Sequence, residues 1–410
     1  MIIRKVVSAI LVIGLSAVFA ADASIIRGER NGLIWEARNT VIGQTPTSDI
    51  LAPSNSIGGG DPIYKPTADK DGTVALIMEY NNGDRFICSG SLLSDGRSIA
   101  TAAHCVSSGG GVKDADLVKT TAYFYTGNPD ERTVDPLVGA QTIDISEYFV
   151  EDNYTGEVID QNDIAVLRLS QEAPASATRY DLYTQELTGE QFNVAGYGTR
   201  STVGGASGNS PPAGARTGFL REGDNVYDYA WGNSVFGGFF TDRDGSGENF
   251  FGFAEVEFSY ISDFDNGLAA QSQADRICAA VGGAAACQGL FGLDNGLGER
   301  EVGIAGGDSG GPGFIDGMLA SINSYGLTFG ANFGDFDGIF NAGWGEFSGY
   351  VPIYIHTDFI NAVMVAMAVP EPGTLAMLIV GFGLVGAARR RRTAATALAR
   401  SNQLGSTTPQ

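Results

Sequence analysis

The sequence predicts an all-β protein, built as a barrel or a sandwich. Its apolar runs are short and are broken by Gly, Asn, Asp and Pro, as in residues 73–80, 164–169 and 192–195. Few stretches repeat apolar residues at helical spacing, and the main helical candidate is 358–367. Glycine accounts for 58 of the 410 residues in scattered turn-like clusters, which argues against collagen and solenoid repeats.

The chain begins with a segment typical of a secretory signal peptide. Two basic residues, Arg4 and Lys5, precede an apolar run that ends among small alanines. The run is too short to span a bilayer comfortably. We therefore predict that residues 1–23 form a leader, with cleavage after Ala20 and after Ala23 both open. A buried core segment is the alternative.

Between the two ends the chain is strongly acidic. The whole sequence has a net charge of −22, and residues 25–368 hold 45 Asp and Glu against 18 Lys and Arg. Such a surface repels nucleic acid and anionic lipid and suits a soluble protein in an extracellular medium. We therefore expect no nucleic-acid partner.

The four cysteines of an exported chain predict two disulfides, for which three pairings are open. The most local pairing joins Cys88 to Cys105 and Cys278 to Cys287. A zinc site is the competing interpretation, but no two cysteines have a two-residue spacing and the chain has only two histidines. We expect neither a metal nor a cofactor.

The C-terminal region has the composition of a membrane-directed segment. Pro370-Glu371-Pro372 precedes an apolar stretch, residues 375–388, and then four arginines, Arg389–Arg392. This order resembles the bacterial PEP-CTERM sorting tail, which implies processing of residues 369–392 by a membrane transpeptidase. Before processing, the hydrophobic segment would contact the membrane. The further residues 393–410 depart from the usual abrupt ending, and an ordinary C-terminal anchor is the alternative.

Three separate segments carry the residue types that serine-based catalysis needs. They are Thr-Ala-Ala-His-Cys at 101–105, Asn-Asp-Ile-Ala at 162–165 and Gly-Gly-Asp-Ser-Gly-Gly-Pro at 306–312. A serine hydroxyl is a poor nucleophile until a base takes its proton, and histidine is the natural base near neutral pH. Because His104 and His356 are the only histidines, the choice of base is narrow.

In this order of His, Asp and Ser, the segments resemble the chymotrypsin–trypsin family over residues 73–365. The resemblance implies two antiparallel six-stranded β-barrels with an active cleft between them and a short C-terminal helix. It also implies peptide-bond hydrolysis through an acyl-enzyme, with protein or peptide substrates. It assigns His104 as the base, Asp163 as the group that orients it and Ser309 as the nucleophile. For His356 we predict a surface or packing role.

The same resemblance assigns the groups around the nucleophile. The oxyanion hole would be formed by the N–H groups of Gly307 and Ser309, and Cys88–Cys105 would be the disulfide beside the histidine. Asp308 would have a structural role, pairing with a new amino terminus. The nearest match to that terminus is Ile25-Ile26-Arg27-Gly28, about twice as far from the histidine as usual.

The substrate-binding residues are also assigned by resemblance. They are the base of the specificity pocket, a strand that pairs with the substrate and a second pocket wall: Gly303, Ser324, Tyr325, Gly326 and Gly349. An uncharged base and small walls predict a preference for bulky apolar side chains. A cysteine that usually stiffens this pocket is replaced by Ala305, which is a departure from the family.

We therefore predict a protease domain at residues 71–368, exported to the periplasm, cell surface or extracellular matrix of a bacterium. The N-terminal segment 24–70 and an insertion at about 199–271 have no predicted role. Within the insertion, 242–247 matches half of an EF-hand loop but lacks its Glu, so a solvated turn is favoured over Ca²⁺ binding. The alternative function is a catalytically silent surface or matrix protein with a binding role.

Overall fold

The structure is a computed structural model of the chain. It describes residues 26–30, 32–38, 64–125, 139–201, 204–209, 214–215, 217–268, 270–283, 287 and 296–368. The predicted leader, residues 1–23, and the predicted tail, residues 369–410, lie outside the described residues. The chain divides into two compact units, Met1–Phe359 and Ile360–Gln410. Among the described helices, none has both the length and the apolar character to cross a membrane.

The described residues form seventeen β-strands and two α-helices. The first eight strands are β1 Ile26–Arg30, β2 Leu33–Arg38, β3 Thr73–Tyr80, β4 Arg85–Leu92, β5 Ser98–Thr101, β6 Leu117–Phe124, β7 Gln141–Val150 and β8 Ala165–Leu169. The others are β9 Gln191–Gly196, β10 Arg200–Ser201, β11 Gly214–Ala215, β12 Arg221–Val226, β13 Tyr229–Ala230, β14 Tyr260–Phe264, β15 Pro312–Ile315, β16 Met318–Thr328 and β17 Glu346–Pro352. The helices are α1 Gln273–Cys278 and α2 Thr357–Ala368.

The all-β prediction is confirmed, and the first predicted barrel is a closed one. Its six strands follow the order β3-β4-β5-β8-β7-β6, all antiparallel. The strand β3 reads Thr-Val-Ala-Leu-Ile-Met-Glu-Tyr, and its first six residues are buried. Closure leaves these strands no free edge, and it places the end of β5 beside the start of β8.

The second half is a curled antiparallel sheet of nine strands rather than a barrel closed by a continuous ladder. Its main order is β12-β9-β15-β16-β17-β14-β13, and β2 and β1 extend it from β16. Only Tyr227 and Asp228 separate the two end strands in the chain. The Asn225 side chain donates to Asp263 O over 2.8 Å, which holds β12 near β14 where the ladder is interrupted. The predicted second six-stranded barrel is therefore observed as a curled half-barrel sheet with additional strands.

The N-terminal hairpin and the insertion pack together on this sheet through an aromatic cluster. At its centre, Trp231 lies 4.7 Å from Phe240 and 5.0 Å from Phe251, between ring centroids. Trp35 of β2 lies 5.3 Å from Phe251. The indole of Trp35 also crosses Gly28, where a Cβ atom would come within 2.5 Å of the ring. The two segments without a predicted role therefore share one core.

Candidate active site

His104 lies in a short helical turn that follows β5. Asp163 lies two residues before the start of β8. His104 Nδ1 donates to Asp163 Oδ2 over 2.7 Å, and the His104 backbone N–H donates to Asp163 Oδ1 over 2.8 Å. One carboxylate therefore holds both the ring and the backbone of the histidine. With Nδ1 as the donor, Nε2 is the nitrogen left to accept a proton.

The carboxylate of Asp163 is fully buried, so it needs several donors. Besides the two from His104, the Ser324 hydroxyl donates to Asp163 Oδ2 over 2.5 Å. Ser324 belongs to β16, in the second sheet. This bond therefore joins the two halves of the molecule at the candidate site.

The loop that carries Asp163 is held by a second buried carboxylate. Asp160 Oδ1 accepts from Asn162 N, and Asp160 Oδ2 accepts from the N–H and the hydroxyl of Thr155, all within 2.8 Å. Burial is the main cause that raises the pKa of Asp160 to about 6. His356 is buried, and its Nε2 donates to Gln161 O over 2.8 Å, which fits a packing role.

Ser309 lies in the turn before β15 and packs against the first barrel. Ser89 N, in β4, donates to Ser309 O over 2.8 Å, and the same oxygen lies 3.8 Å from Cys105 Sγ. Gly310, with φ of +79°, approaches so closely that a Cβ atom there would meet Thr101 Oγ1 at 2.0 Å. The structure therefore brings the serine segment against the residues that flank His104.

Two hydrogen bonds accepted by backbone carbonyls fix the orientation of the peptide groups around Ser309. Thr199 N donates to Gly306 O over 3.0 Å, and Gly311 N donates to Asp308 O over 2.8 Å. In a trans peptide the N–H points away from the C=O. The N–H groups of Gly307 and Ser309 therefore point away from these two partners. The φ of +105° at Gly307 favours glycine there.

One polar residue in this region was not predicted from the sequence. The Ser89 hydroxyl donates to Gly307 O over 2.8 Å and accepts from Tyr197 N over 3.0 Å. It fixes the carbonyl side of Gly307, next to the predicted oxyanion hole. A serine inside an apolar strand was the sequence signal that could have indicated Ser89. The same signal occurs at Ser91 in the same strand, whose hydroxyl has no partner among the described residues, so the signal alone could not select Ser89.

Asp308 has backbone partners on both carboxylate oxygens. Gly198 N donates to Oδ1 over 2.8 Å, and Ala305 N donates to Oδ2 over 3.0 Å. The predicted partner, a new amino terminus at Ile25 or Ile26, is not tested, because Ile25 lies outside the described residues. Ile26 pairs with Ala37 in the hairpin of β1 and β2.

Of the five predicted substrate-binding residues, Ser324 binds Asp163, and the other four divide into two groups. Gly303 and Gly326 line one small recess, which Arg38 and Glu346 also border. Burial raises the pKa of Glu346 well above its ordinary value. Arg38 and Glu346 were not predicted, because neither belongs to a recognisable motif.

Tyr325 and Gly349 form the second group, and they cover each other. A Cβ atom at Gly349 would meet the Tyr325 ring at 2.2 Å. The side chain of Tyr325 is fully buried, and Trp231 Nε1 donates to its hydroxyl over 2.9 Å. The ring of Tyr325 therefore lies in the aromatic cluster rather than at the surface.

The structure has both disulfides in the most local pairing. Cys88 and Cys105 are joined, as are Cys278 and Cys287. Among the described residues, the only group with metal-ligand proximity consists of Cys88, Cys105 and His104, but its two sulfurs are bonded to each other and offer no thiolate. In the loop 242–247, Arg243 donates to backbone carbonyls, and Asp244 forms an ion pair with Arg30.

Comparison with known proteins gives two family matches. The model described as Trypsin matches residues 64–212, which include His104 and Asp163. The model of the PEP-CTERM protein-sorting motif matches residues 368–392. No curated protein matches the chain.

Among solved structures, the chain is similar to neuropsin, a serine protease expressed in the limbic system of mouse brain. The two are 17% identical, the match covers 73% of this chain and 98% of neuropsin, and the TM-score is 0.44. The PEP-CTERM motif points to export in bacteria, and the two disulfides fit an extracellular location. The chain thus carries a segment that matches the trypsin family model, within a mostly β fold that contains one closed six-strand barrel, and then a PEP-CTERM sorting motif.

Proposed function

We propose that the chain is an exported serine endopeptidase that uses His104, Asp163 and Ser309. The observation that carries the proposal is the buried Asp163 carboxylate, which binds the His104 ring at 2.7 Å beside the segment that holds Ser309. An orienting acid, a base and a nucleophile then converge from three distant parts of the sequence.

In the proposed reaction the Ser309 hydroxyl attacks the substrate carbonyl and gives its proton to His104 Nε2. Asp163 stabilises the imidazolium that forms, and the N–H groups of Gly307 and Ser309 bind the oxyanion. His104 then protonates the leaving amine, which departs and leaves an acyl-enzyme. Water, deprotonated by the same histidine, releases the acid product and restores the serine.

We further propose that the pocket prefers bulky apolar side chains. A Cβ atom at Gly303 would lie 3.4 Å from the Phe264 ring, so the surroundings of the base are apolar. The nearby Arg38 guanidinium disfavours a basic substrate side chain by like-charge repulsion. Profiling on a peptide library tests this preference, and dominant cleavage after Arg or Lys would contradict it.

The partners follow from the two matched segments. Protein or peptide substrates would bind at the cleft, and a sorting transpeptidase would act on residues 369–392. We propose that the chain acts in the periplasm, on the cell surface or in the extracellular matrix. Mass spectrometry of the exported protein would identify both mature ends, and an unprocessed C-terminus would contradict sorting by cleavage.

A fluorophosphonate probe tests the catalytic proposal directly. We expect the purified chain to be labelled at Ser309, the Ser309→Ala variant to show no labelling, and His104→Ala to label at least 10²-fold more slowly. Circular dichroism and mass analysis of both disulfides confirm that each variant is folded. A folded native chain that resists the probe would favour the silent binding protein instead.

A further inference from the structure

One edge of β16 passes the proposed nucleophile and is covered by different parts of the chain. β15 pairs with residues 318–322. Gly310 N then donates to Asn323 O, and Asn323 N donates to Gly311 O, both over 2.8 Å. Farther along, β2 pairs with β16 from Gly326 to Thr328. Because β17 pairs with the opposite edge of β16, β15 and β2 lie on the same edge.

The gap between these partners is two residues long. Within the described ranges, no strand pairs with Ser324 or Tyr325 on this edge. Extended peptides commonly bind by adding a strand to a sheet edge. A peptide whose reacting carbonyl lies at Ser309 therefore pairs with at most two residues of this edge before it meets β2.

β2 runs along β16 in the direction that such a peptide would take. It is antiparallel to β16, with Glu36 opposite Thr328, Ala37 opposite Leu327 and Arg38 opposite Gly326. Its chain direction leads from Thr328 toward the gap. β2 therefore occupies the positions of the third, fourth and fifth residues before the scissile bond.

Several contacts fix β2 in this position. The side chains of Trp35 and Ala37 are buried in the aromatic cluster with residues of the insertion. At its end, Arg38 donates to Phe340 O and its guanidinium lies 4.1 Å from the centroid of the Phe340 ring. In β1, Arg30 donates to Asn249 O. A substrate would have to displace a strand that is part of the core.

We infer that β2 is a built-in exclusion strand, which limits substrate pairing on the N-terminal side of the scissile bond to two residues. The inference rests on the proposed function and names the substrate class of that site: peptides cut close to their amino end, or where the preceding chain turns away from the sheet. Pairing alone would then give no selectivity at the third or earlier residue.

Substrate length provides the test. We measure kcat/KM for peptide amides with one, two, three and four residues before the scissile bond, with the same two residues next to it. On an open edge a third residue adds two backbone hydrogen bonds, which is worth about tenfold. We expect no increase beyond the second residue. A tenfold rise at the third residue would overturn the inference.

Variants of the hairpin link the effect to β2. Arg38→Pro removes both contacts with Phe340 and the backbone N–H of Arg38, so the end of β2 should detach and the third residue should add about tenfold. Glu29→Ala, at an exposed position of β1, is the matched control and should behave as the native chain. If the third residue still adds nothing in Arg38→Pro, β2 is not the cause.

A binding measurement separates this test from the test of catalysis. In the Ser309→Ala chain we measure the affinity for the same peptides by fluorescence anisotropy, and we expect no gain beyond two residues. A tenfold gain in affinity at the third residue would overturn the exclusion strand, whether or not the native chain reacts with the fluorophosphonate probe. Resistance of the native chain to that probe would refute only the proposed catalysis. A mature N-terminus beyond Arg38 would also overturn it, because β2 would then be a removable pro-segment.

Discussion

Replacing Ser89 by Ala should slow catalysis without weakening substrate binding. The hydroxyl of Ser89 bridges Gly307 O and Tyr197 N, at 2.8 and 3.0 Å. Ser89 and Tyr197 are both buried. Its loss removes two hydrogen bonds and leaves a buried acceptor and a buried donor without this partner. At about 1 kcal/mol for each bond, we expect a loss of about 2 kcal/mol in the free energy of unfolding.

The same substitution loosens the peptide between Gly307 and Asp308, which lies between the two proposed oxyanion donors. Complete loss of one oxyanion donor costs about 10²–10³ in kcat, and partial misplacement should cost less. We expect kcat to fall by roughly tenfold with KM unchanged, because the oxyanion forms only after the substrate is bound. A purely structural role would lower the stability and the amount of active enzyme without changing kcat per labelled serine.

The matched control lies two residues along the same strand. Ser91 is also buried, and its hydroxyl has no partner in the part of the chain that the structure describes. Ser91→Ala should therefore leave kcat unchanged. Hydrolysis of a peptide amide, normalised to fluorophosphonate-labelled enzyme, measures both variants. Equal kcat values for Ser89→Ala and Ser91→Ala would refute the positioning role of Ser89.

Two further predictions follow from buried carboxyl groups. Ser324→Ala removes a donor to the buried Asp163 carboxylate, which holds the His104 ring, so we expect about tenfold lower kcat/KM for peptide-amide hydrolysis; an unchanged kcat/KM would contradict this role. Burial raises the pKa of Glu301 from 4.5 to about 9, so its contribution to stability is fully present below about pH 4.5 and is lost as the pH rises through 9. Glu301→Gln should lose less stability than the native chain between pH 5 and pH 9 in denaturant unfolding, and parallel pH curves would contradict this assignment.

The sequence predicted the parts of the fold where residue type and spacing are constrained by chemistry. The most local cysteine pairing is the pairing in the structure. The helical candidate 358–367 lies within the helix Thr357–Ala368. The segments of His104 and Asp163 are close in space because His104 follows β5, Asp163 precedes β8, and these two strands pair in the closed barrel. These features depend on local patterns that can be recognised one at a time.

The side chain of Tyr325 shows what a strand pattern cannot give. The pairing of β16 with β17 shifts its register between Asn323 and Tyr325. A shift of one residue exchanges the faces of a strand, so the alternation before the shift no longer indicates the direction of the side chains after it. The side chain of Tyr325 is therefore buried in the aromatic cluster, while the predicted pairing of this strand with a substrate concerns its backbone.

The role of the hairpin also depends on distant contacts. Arg38 lies opposite Gly326, almost three hundred residues later in the chain, and no local pattern encodes that register. Ser89 and Ser91 illustrate the same limit at short range, because the two positions look alike in sequence and differ only in what the opposite half of the molecule presents to them. Both assignments required the packing of the two halves.

The hairpin and the insertion are best understood as one unit. Aromatic contacts join them to each other and to the sheet: Trp35 packs on Phe251 of the insertion, and Trp231 of the insertion packs on Phe347 of the sheet. The free energy gained by burying such large side chains holds a short strand in a place that a substrate would otherwise occupy. The aromatic cluster reaches the edge of β16 through β2. In the inference above, the hairpin and the insertion therefore limit the number of substrate residues that can pair with this edge. His104, Asp163 and Ser309 lie outside both segments.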